Sequence, residues 1–228
     1  MMLNMGPQHP STHGVLRLKL YLDGEVIVKA VPYVGYLHRG VEKLCEKLTF
    51  TQITPIVDKN DYVSPMMNEQ AVNMAFERGL GIEVPRRARW LRTVLAELQR
   101  IASHLVAAGT FALDVGGAIG GGASVFMYAF RDRERILDVF EELTGCRFHY
   151  NTHQVGGNRH DVPAGWDRMV FTALDAIEAA LPEYETLTLN NAIFQDRTVG
   201  VGVLGRDLAL ELGMGGPIGR ASGVDLDL

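Results

Sequence analysis

The first regular pattern along the chain is an alternation of apolar and polar residues near its start. Every second position from 16 to 22 is a leucine, and the positions between them are Arg17, Lys19 and Tyr21. This period of two predicts a half-buried β-strand. The dipeptide Asp23-Gly24 follows and predicts a two-residue hairpin turn, since the central positions of such a turn favour positive φ. A return strand through Val26 is therefore expected.

The predicted hairpin also predicts which segments lie close together. If Leu22 pairs with Glu25, the register extends to a pairing of His13 with Val34. The histidine-rich loop at 9–14 and the segment 35–40 would then meet at the same end of the hairpin.

Helical periodicity dominates the rest of the chain. Pro85 precedes a long segment whose apolar residues recur at helical spacing, and Gly145 is placed to cap the C-terminus of the next helix. A third helix is predicted with Asp161 as N-cap, Pro163 in its first turn and Pro182 as its end. The apolar positions of the first helix are Leu91, Val94, Leu95, Leu98, Ile101, Ala102 and Leu105, and those of the second are Phe126, Ala129, Phe130, Ile136, Leu137, Phe140 and Leu143.

Two glycine-rich segments interrupt these patterns. The stretch 116–122 follows a helix and contains no lysine, so it does not match a phosphate-binding loop, and close backbone packing or a mobile loop is the better interpretation. The tail from Gly213 is also rich in glycine, and no helix is predicted there.

Composition and charge narrow the function classes. The 228 residues are 47% hydrophobic and carry a net charge of −5, which argues against a nucleic-acid-binding surface. Cys45 and Cys146 are the only cysteines and lie far apart, so no metal or iron-sulfur site with its usual ligand spacing is predicted within the chain. His149 and His153 are four apart, but two histidines alone make a weak metal site.

Four segments resemble one known family, in the family's order. They are GPQHPSTHGV at 6–15, GYLHRGVEK at 35–43, ELQRIASHL at 97–105 and RASGVD at 220–225. Together they resemble the hydrogenase-like quinone-site subunit of respiratory NADH:quinone oxidoreductase, complex I, also known as the 49-kDa-type subunit. Because the family continues beyond the last segment, the resemblance implies that this chain is the N-terminal part of such a subunit.

The resemblance implies a fold class and a division of the chain. We expect a mainly α protein with a small α+β N-terminal part, in which a helical bundle like that of the [NiFe]-hydrogenase large subunit follows an N-terminal β-hairpin. The expected boundaries are 1–40 for the N-terminal loop and hairpin region, 41–190 for the helical bundle and 191–228 for the start of an incomplete C-terminal region.

The resemblance also implies the residues of a quinone site. Quinone reduction needs two electrons and two protons, so groups that donate hydrogen bonds and protons must surround the headgroup. By resemblance, His13 and Tyr62 each donate to one quinone carbonyl, and Asp114 is the acidic partner that orients the histidine. Without the resemblance, His13 would be interpreted as an exposed loop residue, Tyr62 as a half-buried aromatic and Asp114 as a polar helix end.

Three further residues are expected, by the same resemblance, near an iron-sulfur cluster of a partner subunit. His149 matches a histidine that donates towards the cluster, and Arg39 matches an arginine beside it, although an ion pair between Arg39 and Glu42 is the plain alternative. Lys59 stands where the family usually has an arginine, and Gln154 replaces another one. A lysine does not reproduce the planar donor set of a guanidinium.

The implied function is the transfer of electrons from an adjacent [4Fe-4S] cluster in a partner subunit to a membrane quinone, within a proton-pumping translocase and not by this chain alone. The implied partners are the small iron-sulfur subunit, the 30-kDa-type subunit, the membrane quinone-channel subunit and quinone itself. NADH would bind only at a distant subunit, and no nucleic acid is expected. The implied location is the cytoplasmic face of the bacterial plasma membrane, as a peripheral protein.

Two alternatives stay open at this point. A [NiFe]-hydrogenase-type large subunit would share the fold, but its metal needs CxxC thiolates, and residues 61–64 read Asp-Tyr-Val-Ser where the first pair would lie. A non-catalytic scaffold derived from such a protein is the other alternative, and it would be favoured if His13 were buried away from any cavity.

Overall fold

The computed structural model describes residues 1–9, 12, 14–116 and 121–225. It shows a mainly helical protein with a small antiparallel sheet at its N-terminus, so the predicted fold class is confirmed. His13, one of the predicted site residues, lies outside the described residues.

Three antiparallel strands form the N-terminal sheet, in the order β1-β2-β3. The strands are β1 (Met2–Met5), β2 (Arg17–Asp23) and β3 (Val26–Tyr33). The alternation of leucines predicted β2, in which Leu20 is buried. Strand β1 was not predicted, because four residues are too few to show a periodicity. It pairs along β2 from Met2 opposite Tyr21 to Met5 opposite Leu18.

The register of the hairpin differs from the predicted one. Asp23 pairs with Val26, so the turn is formed by Gly24 and Glu25 and not by Asp23 and Gly24, and an irregularity between Tyr21 and Leu22 shifts the register again. Only Gly24, with φ of 59°, needs the left-handed conformation in this turn. At the other end Arg17 pairs with Tyr33, so the segments before β2 and after β3 leave the sheet at the same end, as predicted.

Helices and one short hairpin make up the remainder of the described chain. In chain order the elements are α1 (Val41–Cys45), α2 (Phe50–Val57), α3 (Pro65–Leu80), α4 (Arg86–Gly116), α5 (Gly122–Thr144), β4 (His153–Gln154), β5 (Gly157–Asn158), α6 (Trp166–Leu187), α7 (Ala192–Thr198), α8 (Arg206–Glu211) and α9 (Gly216–Ala221). Helix α9 contradicts the prediction of a tail without helix: Pro217 near its start and a chain reversal at Gly223 (φ 79°) give it its two ends.

The apolar core lies between α4, α5 and α6. It includes Leu95 on α4, Phe140 on α5 and Val170 on α6, and the Trp166 ring reaches across to donate from Nε1 to the Val139 carbonyl at 2.9 Å. Helix α4 was predicted from its apolar stripe and α5 from its stripe and its cap, since Gly145 does end α5 in a left-handed conformation.

Both predicted ends of α6 are wrong. The helix begins after Gly165, and Asp161 instead accepts hydrogen bonds from Arg87 at 2.8 and 3.0 Å. Pro182 lies inside the helix, which continues to Leu187. A proline removes one backbone hydrogen bond but does not have to stop a helix whose next turn is packed, and Tyr184 in that turn donates to the buried Asp132 at 2.7 Å.

Glycines allow α4 and α5 to approach closely at the end where they join. A Cβ built on Gly122 would lie 2.1 Å from the carbonyl oxygen of Ala112, and one on Gly109 would lie 3.1 Å from the Cβ of Ala129. The predicted close backbone packing is therefore confirmed at Gly122. Residues 117–120 of the same stretch lie outside the described residues.

Helix α3 buries a polar face. Its buried residues are Pro65, Met66, Glu69, Asn73 and Glu77. At the far end of this face, the Arg92 guanidinium binds both oxygens of Glu77 at 2.7 and 2.9 Å and donates to the carbonyls of Gln154 and Gly157. Arg92 is 3% exposed, so this buried ion pair connects α3, α4 and the β4-β5 hairpin.

Candidate functional site

A cavity of about 900 Å³ opens between three segments that are distant in sequence. Its walls come from the loop before α1, the turn between α2 and α3, and the loop after α5. The lining residues are Tyr36, Leu37, His38, Arg39, Gly40, Val41, Glu42, Lys59, Asn60, Tyr62, Phe148 and His149. Four predicted site residues, Arg39, Lys59, Tyr62 and His149, thus line one cavity.

The turn between α2 and α3 places Tyr62 on the cavity wall. Asp61 holds this turn in shape, because its side chain accepts from the Val63 N–H at 3.2 Å and its carbonyl accepts from the Ser64 N–H at 3.1 Å. The Asn68 side chain on α3 also donates to that carbonyl, at 2.9 Å. Tyr62 is 49% exposed, which leaves its ring and hydroxyl accessible to a bound molecule.

Arg39 is fixed by the end of α2 and not by a carboxylate. Its guanidinium donates to the Asn60 side chain at 2.8 Å and to the Ile56 carbonyl at 3.4 Å. No ion pair between Arg39 and Glu42 is formed, although both line the cavity. The positive charge of Arg39 therefore stays available to whatever occupies the cavity.

Lys59 directly follows the C-cap of α2. Its ammonium group donates to the Pro55 carbonyl at 2.8 Å and lies 3.9 Å from Oδ2 of Asp58. Since this carboxyl group is 1% exposed, Lys59 places a cation beside a buried acid. The lysine brings positive charge to the cavity but lacks the two-pronged donor geometry of an arginine.

His149 connects the cavity to the interior. Its side chain is 27% exposed, and its Nδ1 lies 3.2 Å from Oδ2 of Asp58 without the alignment of a hydrogen bond. Its backbone adopts a left-handed conformation with φ of 63°, which is uncommon for a residue with a side chain. The next residue, Tyr150, packs its ring on Phe140 in the core with a centroid distance of 4.9 Å, and this contact anchors the loop.

The other two predicted residues are not brought to this cavity in the described part of the chain. Asp114 is exposed near the C-terminal end of α4 and is not among the lining residues. Around His13, the described neighbours show a closed loop: His9 and Gly14 form an antiparallel bridge, and Thr12 donates to the His9 carbonyl from both its N–H and its hydroxyl. The roles of Asp114 and His13 stay predictions.

Two residues behind the cavity, Asp58 and Glu69, were missed by sequence reasoning. Both are buried, and their carboxyl groups are hydrogen-bonded to each other. A signal was present, since Met66, Glu69, Asn73 and Glu77 recur at the spacing of one helix face. The search for apolar stripes passed over it because three of these four residues are polar.

A second cavity, of about 720 Å³, lies between α3 and the start of α4. Gln70, Glu77 and Arg92 are among the residues that line it, and none of the predicted site residues does. Within the described ranges, no group of three or more histidine, cysteine or acidic side chains is arranged to hold a metal ion.

Comparisons with known proteins agree with the resemblance in the motifs. Residues 120–228 match the family model of the respiratory-chain NADH dehydrogenase 49 kDa subunit. Over the whole chain, 49% of residues are identical to the second of the numbered NADH-quinone oxidoreductase D subunits of Salinispora arenicola. The chain belongs to this 49 kDa subunit family.

Other members of the family show the same level of identity. The D subunit of NADH-quinone oxidoreductase from Citrifermentans bemidjiense is 49% identical over 228 residues, and that from Desulforamulus reducens is 46% identical over 227 residues. Each alignment covers 100% of this chain, which spans 57% and 61%, respectively, of the length of these relatives. It spans 58% of the Salinispora protein. None of the helices in the described part of this family member has the length and apolar character needed to cross a bilayer.

Proposed function

We propose that this chain forms part of the quinone-reduction site of a NADH:quinone oxidoreductase. In this proposal electrons pass from an iron-sulfur cluster of a partner subunit to a membrane quinone, whose headgroup occupies the cavity. The observation that carries it is the convergence of Arg39, Lys59, Tyr62 and His149 on one cavity. The names of the relatives, which are D subunits of NADH-quinone oxidoreductase, support the same assignment.

The lining of the cavity suits a quinone headgroup. Tyr36, Leu37 and Phe148 are all exposed there, and apolar side chains around a concave surface favour a flat, largely apolar ring. The Tyr62 hydroxyl can donate a hydrogen bond to a quinone carbonyl. This bond strengthens as the oxygen gains negative charge during reduction.

The cationic side chains of the cavity favour the same chemistry. Each electron that reaches a quinone adds negative charge, and the ammonium of Lys59 and the guanidinium of Arg39 stabilise that charge at close range. The iron-sulfur cluster of the partner would supply single electrons. Cysteine thiolates hold such clusters, and in this proposal the partner provides them.

The proposal includes the assembly as well as the site. The partners would be the small iron-sulfur subunit, the 30-kDa-type subunit and the membrane subunit that admits quinone, and the chain would be a peripheral protein at the cytoplasmic face of the bacterial plasma membrane. His13 and Asp114 belong to the proposal through the family motifs alone. His13 would be the second donor to the headgroup and Asp114 its acidic partner.

Tyr62→Phe in the assembled oxidoreductase tests the site. The variant keeps the ring and removes only the hydroxyl, so NADH-driven quinone reduction should fall by roughly 100-fold, the usual effect of losing a positioned proton donor. NADH oxidation with a water-soluble artificial acceptor should be unchanged.

The matched control is Tyr33→Phe. Tyr33 lies at the end of β3, where the Arg17 guanidinium stacks on its ring at 4.9 Å, and it does not line the cavity. Quinone reduction at the wild-type rate in Tyr62→Phe would remove this residue from the mechanism and the cavity from the proposal.

A further inference from the structure

A pair of buried carboxyl groups lies directly behind His149. Asp58 caps the C-terminus of α2 and is 1% exposed, while Glu69 on α3 is fully buried. Asp58 precedes the cavity residue Lys59 in sequence and contacts the cavity residue His149 in space. The pair is therefore one residue away from the cavity, although neither acid lines it.

The hydrogen bonds of the pair do not suit two ionised carboxylates. Oε2 of Glu69 accepts from the Thr152 and His153 N–H groups, both at 2.7 Å. No N–H or hydroxyl group of the described chain makes an aligned hydrogen bond to Oε1 of Glu69 or to either oxygen of Asp58. The two carboxyl groups are instead hydrogen-bonded to each other, and such a bond requires a proton on one of them.

The surroundings of the pair place this proton on Glu69. Burial raises the pKa of Glu69 most, the two backbone N–H donors lower it in part, and the neighbouring Asp58 raises it further. Burial also raises the pKa of Asp58, but the hydrogen bond from Glu69 and the charges of His149 and Lys59 counteract this. Glu69 is thus the donor and Asp58 the acceptor.

Other titratable groups near the pair do not supply the missing proton. Lys59 lies 3.9 Å from Asp58 but directs its hydrogen bond to the Pro55 carbonyl. The Tyr150 hydroxyl donates to the Arg147 carbonyl at 3.0 Å, and burial raises the pKa of this phenol. The His153 ring contacts the Asn158 side chain at 2.7 Å through Nδ1. Among these described neighbours, His149 is the one placed to exchange a proton between the pair and the cavity.

We propose that Asp58 and Glu69 hold one proton between them and deliver it to Nδ1 of His149 when negative charge develops in the cavity. The inference rests on the proposed function, since reduction of the quinone would provide that charge. The carboxyl O–H bond of Glu69 breaks as Asp58 takes the proton, and the N–H bond on His149 forms as Asp58 releases it. The resulting imidazolium offsets the added electron, and reoxidation returns the proton to the pair.

The geometry is suited to such a transfer. At 3.2 Å, Nδ1 of His149 and Oδ2 of Asp58 are close enough for a small rotation of the ring to align them. The left-handed backbone of His149, with φ of 63°, fixes the loop that presents this ring. Asp58 and Glu69 would be positioning residues, because they act on the cavity only through His149.

Infrared difference spectroscopy of the assembled oxidoreductase tests the proposal. In the wild type, reduction by NADH should change the C=O stretching band of a protonated carboxyl group, and the band should shift in D2O. Glu69→Gln and Asp58→Asn should each abolish this signal, since both variants keep the side-chain shape but cannot share the proton. Quinone reduction should fall about tenfold in each, the usual effect of losing a residue that acts through another, and its pH dependence should change.

Glu97→Gln is the control. Glu97 is an exposed residue of α4 that pairs with Arg100 at 3.0 Å, so its variant should keep the wild-type spectrum and rate. A wild-type carboxyl signal in both Glu69→Gln and Asp58→Asn would overturn the inference. If Tyr62→Phe impairs quinone reduction in the same preparations, the proposed function stands in that case, whereas wild-type activity of Tyr62→Phe would remove the proposed function itself.

Discussion

The two sides of helix α4 pack against very different neighbours. Towards α5 and α6 it meets an apolar core in which Leu95, Ala129 and Phe140 are fully buried. Towards α3 and the β4-β5 hairpin, Arg92 and Gln99 are buried among polar groups. The first side is stabilised by removing apolar surface from water and the second by pairing buried polar groups.

This difference indicates how the molecule separates stability from chemistry. Apolar side chains do not titrate, so the core between α4, α5 and α6 can fix the scaffold at any pH. On the polar side, Glu77 is held ionised: burial alone would raise its pKa, but hydrogen bonds from Arg92 and the Gly156 N–H lower it. Next to the cavity, by contrast, burial raises the pKa of Glu69 to about 8 and keeps this acid protonated at neutral pH.

The largest effect is expected in the apolar core. Phe140→Ala removes a fully buried ring, so the free energy of unfolding should fall by about 4 kcal/mol from lost burial and the resulting void. Guanidinium denaturation of the chain, followed by circular dichroism, measures this. Phe171→Ala is the control, because that phenylalanine on α6 is 64% exposed, and a loss of similar size there would contradict the comparison.

The buried ion pair should come next. Arg92→Met keeps much of the side-chain volume but leaves Glu77 without its partner in the interior, which should cost about 3 kcal/mol of unfolding free energy. The same denaturation experiment applies, with Arg100→Met as the control for an exposed pair, where about 0.5 kcal/mol is expected. Equal losses in the two variants would show that burial does not distinguish the two pairs.

The smallest effect depends on pH. Burial lowers the pKa of His153 to about 4 from its usual 6.5, so the unfolded chain binds a proton that the folded chain refuses. Stability is therefore lost as pH falls from about 6.5 towards 4, by about 2 kcal/mol at about pH 5. His153→Gln, which can still bond to Asn158, should lose less stability between neutral pH and about pH 5 in thermal unfolding. An identical pH dependence in both proteins would contradict a neutral buried His153.

How far the fold could be predicted depended on the same difference between the regions. Helices α4 and α5 were predicted because their buried faces are apolar and repeat at helical spacing. The buried face of α3 was missed because Glu69, Asn73 and Glu77 look like surface residues in a sequence. At α6, local signals in Asp161 and Pro182 were misleading, since tertiary contacts of Arg87 and Tyr184 decided the outcome.

The candidate site divides in a similar way. The motifs supplied Arg39, Lys59, Tyr62 and His149 through family resemblance, and the fold brings all four to one cavity. No motif contained Asp58 or Glu69, whose pairing joins two helices and becomes visible only when burial is known.

The sequence by itself determined the helical class, the long apolar helices and the chemical types available to the cavity, because periodicity and residue identity are local properties. The tertiary structure alone decided which acids are withdrawn from water and which of them face each other. That decision sets protonation, since the free energy of a carboxylate depends on solvent access and on neighbouring charges more than on its place in the chain.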